Sequence, residues 1–279
     1  MSHAIGFIQG RLSPMVDGRI QAFPWDAWRD EFPAAQALGI ACMEWTLDQH
    51  RLRENPLMTE DGREEIRALS AAHGLRIPTL TGDNFMQAPF YKAQGATRDN
   101  LLMDAADVVA ACGALGIGVI VVPLVDNGSV TTEEEAAALL DGVEALAPLL
   151  REQGVRIAFE SDYPPDDLAA FIACFDPQTC GINYDIGNSA ALGYDCRAEV
   201  AAYGGRIIGV HVKDRLRGGT TVPLGTGAAD LPGAVAALAG AGFAGPWIMQ
   251  TARAADGDHA GALGRYRDMV RGWLAAAGV

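Results

Sequence analysis

The segment "REQGVRIAFE", residues 151–160, contains the end of one predicted helix and the whole of one predicted strand. Gly154 follows the amphipathic pattern of residues 131–152 and is typical of a helix C-terminus, because glycine adopts left-handed backbone conformations without a Cβ clash. The apolar run after it predicts a short buried strand over 156–160. Glu160 then places a carboxylate at the carboxyl end of that strand. The segment therefore has the form of one α/β repeat with a polar residue at its strand end.

The same alternation of strand and helix continues along the whole chain. The sequence predicts strands at 4–9, 42–47, 77–82, 118–124, 156–160, 181–187, 207–213 and 246–251. Helical patterns lie near 26–38, 59–73, 98–115, 131–152, 165–175, 197–204, 230–241 and 259–276. Successive strands start roughly 35 residues apart, which suits a closed barrel of eight such units. A doubly wound open sheet is the competing fold, but "IQGRLSP" after the first strand is not its Gly-rich phosphate loop. We predict a single (β/α)8 TIM barrel that forms one domain over residues 1–279.

Composition and charge narrow the classes of partner. The chain is 49% hydrophobic and 20% charged, which is typical of a folded globular protein. Its formal net charge of −14 argues against nucleic acid, whose binding relies on basic patches. The five cysteines are widely spaced and contain no CxxC, so neither a disulfide framework nor a thiolate zinc site is indicated. The sequence has no long apolar segment and no signal-like start, so we expect a cytoplasmic protein without a membrane partner. A homo-oligomer is a possible assembly.

Polar residues stand at the ends of the last four predicted strands, where barrels of this kind place their chemistry. They are Glu160, Asp185, His211 and Gln250. Carboxylate, imidazole and amide ligands suit one divalent metal ion such as Mn²⁺, Mg²⁺, Co²⁺ or Zn²⁺. Each residue alone also has an ordinary structural explanation, for example an Asx turn at Asp185 or a core histidine at His211. Their occurrence at four consecutive strand ends favours a metal site.

Further polar and aromatic residues near strand ends are candidates for substrate binding. An amide or charged side chain can hydrogen-bond a sugar hydroxyl, a tryptophan can stack on a sugar ring, and an arginine can bind a phosphate or carboxylate. Surface ion pairs, a helix start and ordinary core packing are the competing explanations. The candidates are Arg11, Glu44, Trp45, Asn188, Lys213, Asp214 and Arg253.

Four segments resemble the xylose isomerase-like TIM barrel superfamily, and within it the sugar-phosphate isomerase/epimerase branch that includes L-ribulose-5-phosphate 3-epimerase. They are "FE" (159–160), "YDIGN" (184–188), "HVKD" (211–214) and "GFAGPWIMQ" (242–250). The resemblance implies an isomerase of carbohydrate metabolism that acts on a small sugar or sugar phosphate. It also implies that Glu160, Asp185, His211 and the residue at 250 hold the metal. The DNA-repair endonucleases of the same superfamily do not fit, because they need many more histidines than the five present here.

The residue at 250 departs from this pattern. In epimerases of the branch, two glutamates stand on opposite faces of the substrate carbon, but this chain has Gln250, which neither accepts nor donates a proton. Glu160 is then the natural base for removing a proton next to a metal-polarised carbonyl. The amide favours one-base isomerisation, or a dehydration of a keto-sugar or keto-cyclitol, over two-base epimerisation, unless Glu44, Asp83 or Asp214 supplies the second proton. A non-catalytic sugar-binding barrel is a further alternative.

Overall fold

Eight parallel strands close into a barrel in the computed structural model, which describes residues 4–279. The barrel strands are β1 (Ile5–Ile8), β2 (Cys42–Thr46), β3 (Arg76–Thr81), β4 (Val119–Leu124), β5 (Arg156–Ser161), β6 (Cys180–Asp185), β7 (Ile207–Val212) and β10 (Trp247–Met249). Around the barrel they follow the order β1-β10-β7-β6-β5-β4-β3-β2. The predicted (β/α)8 barrel is thus confirmed.

Helices surround the strands at nearly the predicted positions. They are α1 (Glu31–Ala37), α2 (Glu60–His73), α3 (Asp83–Gln87), α4 (Gly95–Leu115), α5 (Glu133–Gln153), α6 (Pro165–Ala173), α7 (Ile186–Leu192), α8 (Cys196–Tyr203), α9 (Leu231–Gly240) and α10 (His259–Ala276). Gly154 ends α5 with a φ of 65°, as the opening segment predicts. Among residues 4–279, no helix combines the length and the apolarity needed to cross a bilayer.

Two helices, α3 and α7, are absent from the sequence prediction. They have five and seven residues, which is too short for a helical periodicity to show. Both begin directly after a barrel strand, at the end of the barrel where the polar residues collect. Asp185 starts α7 as its N-cap, since its Oδ1 accepts a hydrogen bond from the Asn188 backbone N–H at 2.8 Å. The predicted Asx-type role of Asp185 is therefore real and leaves its second oxygen free for other contacts.

A short antiparallel ribbon follows β7. It pairs β8 (Asp214–Arg215) with β9 (Thr221–Val222) and occupies the Gly/Thr-rich region after the seventh barrel strand. Most of the apolar core lies between the strands and the helices, while Ile8, Cys42 and Ile248 form a small separate cluster. Because strand side chains alternate in direction, Cys42 shares its face of β2 with Glu44. The inner face of the barrel thus changes from apolar to polar toward the carboxyl ends of the strands.

Candidate metal-binding and catalytic site

Three of the predicted metal ligands meet at the carboxyl end of the barrel. Glu160, Asp185 and His211 each offer one ligand atom, and these atoms lie within 4.8 Å of one another. The Nδ1 atom of His211 is 3.0 Å from Oε2 of Glu160 and 3.9 Å from Oδ2 of Asp185. All three residues are buried. Neighbouring parallel strands β5, β6 and β7 thus bring together two carboxylates and an imidazole that are far apart in sequence.

Two asparagine amides hold the carboxylate of Glu160. Asn183 donates to Oε2 at 2.9 Å, and Asn188 donates to Oε1 at 2.8 Å. The oxygen of Asn188 in turn accepts from Arg215 at 2.9 Å, so its amide orients Glu160 from the rim of the site. Burial raises the pKa of Glu160, but the hydrogen bond and charge of His211, the charge of Lys213 and the hydrogen bond of Asn183 together hold that pKa below the usual range. Glu160 is therefore a carboxylate held in one orientation by two amides.

Asn183 is a site residue that the sequence analysis misses. It stands two residues before Asp185 on β6, and residues separated by two share one face of a strand. Its Nδ2 also lies 3.1 Å from Nδ1 of His211. The two-residue periodicity of β6 is the signal that points to it, because Asn183 and Asp185 share one face of the strand.

Glu44 is the buried partner of His211. Its Oε1 lies 2.8 Å from Nε2 of His211 and also accepts from the hydroxyl of Thr81. The substrate contact predicted for Glu44 is not seen, because its carboxylate is only 1% exposed and is hydrogen-bonded to His211 and Thr81. Burial lowers the pKa of His211, while the charges and hydrogen bonds of Glu44 and Glu160 raise it well above the usual 6.5. Because Nε2 donates to Glu44, Nδ1 is the atom available to coordinate a cation, which would take the place of the proton on that nitrogen.

Gln250 and Lys213 stand next to the three clustered residues. The ammonium group of Lys213 donates to Oε1 of Gln250 at 2.9 Å and to Oδ2 of Asp185 at 3.2 Å. At its other end, Gln250 donates from Nε2 to Oε1 of Gln21 at 3.1 Å. The oxygen of Gln250 is thus linked to the cluster through Lys213.

A cavity of about 420 Å³ opens above this group, within the range of small-ligand sites. Four of the predicted site residues border it: Glu160, Asn188, Lys213 and Gln250. The remainder of its wall is formed by Arg19, Ile20, Gln21, Thr81, Asp83, Met86, Gln87, Pro123, Val125, Asp126, Asp162 and Arg215. The wall is rich in carboxylates, amides and cationic groups. Such a surface suits a small ligand that carries many hydroxyl groups.

Trp45 does not contribute to this cavity. It follows Glu44 on β2, so its side chain points to the opposite face, toward the helices. There its fully buried ring packs against Phe23 and Trp28, with ring centroids 5.4 and 5.6 Å away. Its Nε1–H donates to Asn55 at 3.1 Å. The expected sugar-stacking role of Trp45 is therefore wrong.

The two arginines expected to bind an anion are used inside the protein. Arg11 donates to the backbone oxygens of Thr251 and Ile20, both at 2.8 Å. Arg253 donates to the backbone oxygens of Ile20 and Ser13 at 3.2 and 2.6 Å. Burial, together with the charge of Arg253, lowers the pKa of Arg11 to about 9. Both residues fasten the segment after β1, and neither borders the cavity.

Asp214 likewise serves the backbone. Its carboxylate accepts N–H groups from Gly225 and Gly227 at 2.9 Å and from Ala229 at 3.2 Å. With 1% exposure, it is closed to a ligand. The expected substrate contact of Asp214 is corrected to an anchor for the segment that follows β9.

Comparisons with known proteins agree with the fold. L-ribulose-5-phosphate 3-epimerase UlaE of Salmonella paratyphi C is 25% identical over 264 residues, which cover 91% of this chain and 92% of that protein. D-psicose 3-epimerase of Clostridium cellulolyticum H10, solved with D-tagatose, is 14% identical with a TM-score of 0.77, over 97% of this chain and 99% of that one. The IOLI protein, solved with a zinc atom, is 16% identical with a TM-score of 0.73, over 98% and 99%.

The predicted resemblance is confirmed over most of the chain. The sequence pattern of the family described as "Xylose isomerase-like TIM barrel" matches residues 32–274. The expected isomerase class agrees with the names of the relatives, two of which are sugar epimerases. This chain belongs to the xylose isomerase-like TIM barrel family.

Proposed function

We propose that the protein is a divalent-metal-dependent sugar or sugar-phosphate isomerase/epimerase that removes a proton from the carbon next to a carbonyl. The observation that carries the proposal is the carboxylate of Glu160, fixed by two amides at the wall of the cavity and 3.0 Å from His211. A general base must be oriented and within reach of the substrate. Glu160 is oriented by its two hydrogen bonds and borders the space that a sugar would fill.

The residues present fit a divalent cation. Two carboxylate oxygens and one imidazole nitrogen converge, and the contact of Nε2 with Glu44 leaves Nδ1 of His211 directed at the carboxylates. This donor set suits Mn²⁺, Mg²⁺, Co²⁺ or Zn²⁺. Gln250 would be the fourth ligand once its oxygen exchanges the ammonium group of Lys213 for the cation. When bound, the cation supplies a Lewis acid that draws electrons from the substrate carbonyl and acidifies the neighbouring C–H.

The surrounding side chains have distinct tasks in this proposal. Glu160 accepts the proton, while Asn183 and Asn188 keep both of its oxygens in place. Lys213 has 14% of its side chain exposed toward the cavity and donates a hydrogen bond to a substrate oxygen that gains negative charge. The chain thus provides a base and a cationic donor at the wall of the same cavity.

Proton NMR in D₂O tests the proposal directly. The probes are L-ribulose 5-phosphate, D-psicose and D-tagatose, each incubated with protein loaded with Mn²⁺ or Co²⁺ and, as a control, with protein treated with a chelator. We expect deuterium to replace the proton next to the carbonyl, together with formation of an isomer or epimer, only in the loaded protein. Formation of an enone would identify a dehydratase instead. Saturable binding without exchange would identify a non-catalytic sugar-binding barrel.

Replacing Gln250 by Glu is expected to keep the bound metal and to increase epimerisation by about tenfold or more, since a positioned acid or base contributes 10²–10⁴. The new carboxylate would pair with Lys213 and return a proton on the face opposite Glu160. Metal analysis and chiral product analysis measure the two effects. The exposed Gln178→Glu variant is the matched control. A metal-free Gln250→Glu protein would show instead that the amide itself is required for binding the cation.

A further inference from the structure

Inversion at a carbon needs a proton to leave from one face and another to arrive on the opposite face, so it requires two acid/base groups. Gln250 cannot be the second. Of the three carboxylates that the sequence offers for this task, Glu44 is engaged by His211 and Thr81, and Asp214 is engaged by three backbone N–H groups. Asp83 is the one that borders the cavity.

Asp83 stands at the end of β3, as the first residue of α3, and is 7% exposed. Its Oδ2 accepts a hydrogen bond from Nε2 of Gln21 at 2.9 Å. Within residues 4–279, no side chain or backbone group donates to its Oδ1. One oxygen is thus fixed, and the other is available to a ligand in the cavity.

A chain of hydrogen bonds connects Asp83 with position 250. Lys213 donates to Gln250, Gln250 donates to Gln21 at 3.1 Å, and Gln21 donates to Asp83. This chain runs along the barrel mouth from β10 past β1 to β3. Glu160 stands on β5, and β4 separates that strand from β3. Asp83 and Glu160 therefore reach the same cavity from different strands of its wall.

Burial also favours a proton on Asp83. Together with the charges of Asp48, Glu160 and Glu44, it raises the pKa of Asp83 to about 7, although the hydrogen bond from Gln21 opposes the shift. At neutral pH, the carboxyl of Asp83 can therefore hold a proton and give it to a ligand in the cavity.

We propose that Asp83 is the second acid/base group of the reaction proposed above, which makes the protein an epimerase of ketoses or ketose phosphates. Glu160 takes the proton from the carbon next to the carbonyl, and the C–H electron pair moves toward the carbonyl oxygen. Asp83 then gives its own proton to the opposite face of the same carbon as the electron pair returns. The turnover leaves Glu160 protonated and Asp83 ionised, and exchange with solvent water restores both.

Two rates test this assignment: the rate at which deuterium replaces the substrate proton, and the rate at which the epimer forms. Both are measured with the probe sugar on which the wild type is active. We expect Asp83→Asn to lose epimerisation by about 10²-fold or more while Glu160 still exchanges the substrate proton for deuterium on its own face. Asp83→Glu should recover part of the inversion. The exposed Asp99→Asn variant is the matched control. Melting temperature and metal content, measured for every variant, should equal those of the wild type.

Each other outcome overturns the assignment in a distinguishable way. Epimerisation at the wild-type rate in Asp83→Asn would remove Asp83 from the reaction and leave the proposed function intact. Equal loss of exchange and inversion in a folded, metal-loaded Asp83→Asn protein would mean that Asp83 shapes the site and does not donate a proton to one face of the substrate carbon. Absence of exchange in the wild type would refute the proposed function, and the role of Asp83 with it.

Discussion

Glu160→Gln is expected to reduce the rate of substrate proton exchange by a factor of about 10²–10⁴, the usual contribution of a general base. The amide has nearly the same shape as the carboxylate but cannot take a proton. One of the two amides, Asn183 or Asn188, can still donate to its oxygen, and Asp185 and His211 remain available to the cation. The variant should therefore fold, contain metal when the cation is supplied in excess, and bind the probe sugar. Isotope exchange followed by NMR, with metal analysis, measures the result.

The exposed Glu152→Gln variant, at the end of α5, removes the same charge without touching the site and should exchange at the wild-type rate. Full exchange in Glu160→Gln would show that another group removes the proton. A variant that neither melts cooperatively nor holds metal would point to a structural requirement for the charge, and Glu160→Asp would then separate the two roles, because it keeps the charge and retracts it by one methylene.

Glu44→Gln is expected to weaken metal binding by about 10–100-fold, the range found when the partner of a metal-bound histidine is removed. The carboxylate of Glu44 contacts Nε2 of His211 at 2.8 Å and thereby fixes both the ring and its tautomer. A neutral amide holds the ring less firmly and makes Nδ1 a weaker ligand. Titration with Mn²⁺ or Co²⁺, followed by calorimetry, gives the dissociation constants directly.

Glu64→Gln, on the exposed face of α2, is the control and should leave the dissociation constant unchanged. An unchanged metal dissociation constant for Glu44→Gln would show that Glu44 only packs in the barrel interior and does not position His211 for the metal. Sugar binding to the metal-saturated Glu44→Gln protein should remain close to that of the wild type, because Glu44 does not border the cavity. A selective loss of sugar binding would contradict the positioning role.

The barrel and the clustering of three candidate ligands could be predicted from sequence because both depend on local patterns. Apolar runs locate the strands, and the position of a polar residue at a strand end is read directly from the sequence. In a barrel of parallel strands, all such ends lie on one side of the molecule. Glu160, Asp185 and His211 were assigned in this way, and their roles in binding metal and moving a proton remain predictions.

Trp45 shows why position near a strand end is not sufficient. One residue separates it from Glu44, and that single step turns its side chain from the barrel interior to the helix layer. The direction of the Trp45 side chain depends on which residues of β2 face the barrel interior. The sequence of β2 does not reveal which residues these are. Glu44 faces the barrel interior, but its partner there lies 167 residues later on β7, and the sequence does not reveal that pairing.

Arg11, Arg253 and Asp214 show a second limit. Their partners are backbone groups of loops, and such contacts depend on how each loop folds back across the barrel mouth. A sequence displays the charge of an arginine or aspartate, yet it does not display the carbonyl and N–H groups that lack partners until the loop has folded. Gln21 was missed for the same reason, since its place between Gln250 and Asp83 exists only in the folded loop.

The anchoring of the segment after β9 by Asp214 separates the candidate site from the tip of the ribbon. His211 and Lys213, the candidate site residues, precede this anchor, and the tip of the ribbon, residues 216–220, follows it. Because Asp214 holds Gly225, Gly227 and Ala229, the two ends of the ribbon are tied together independently of its tip. The tip can therefore change in length and composition without displacing β7, which carries His211.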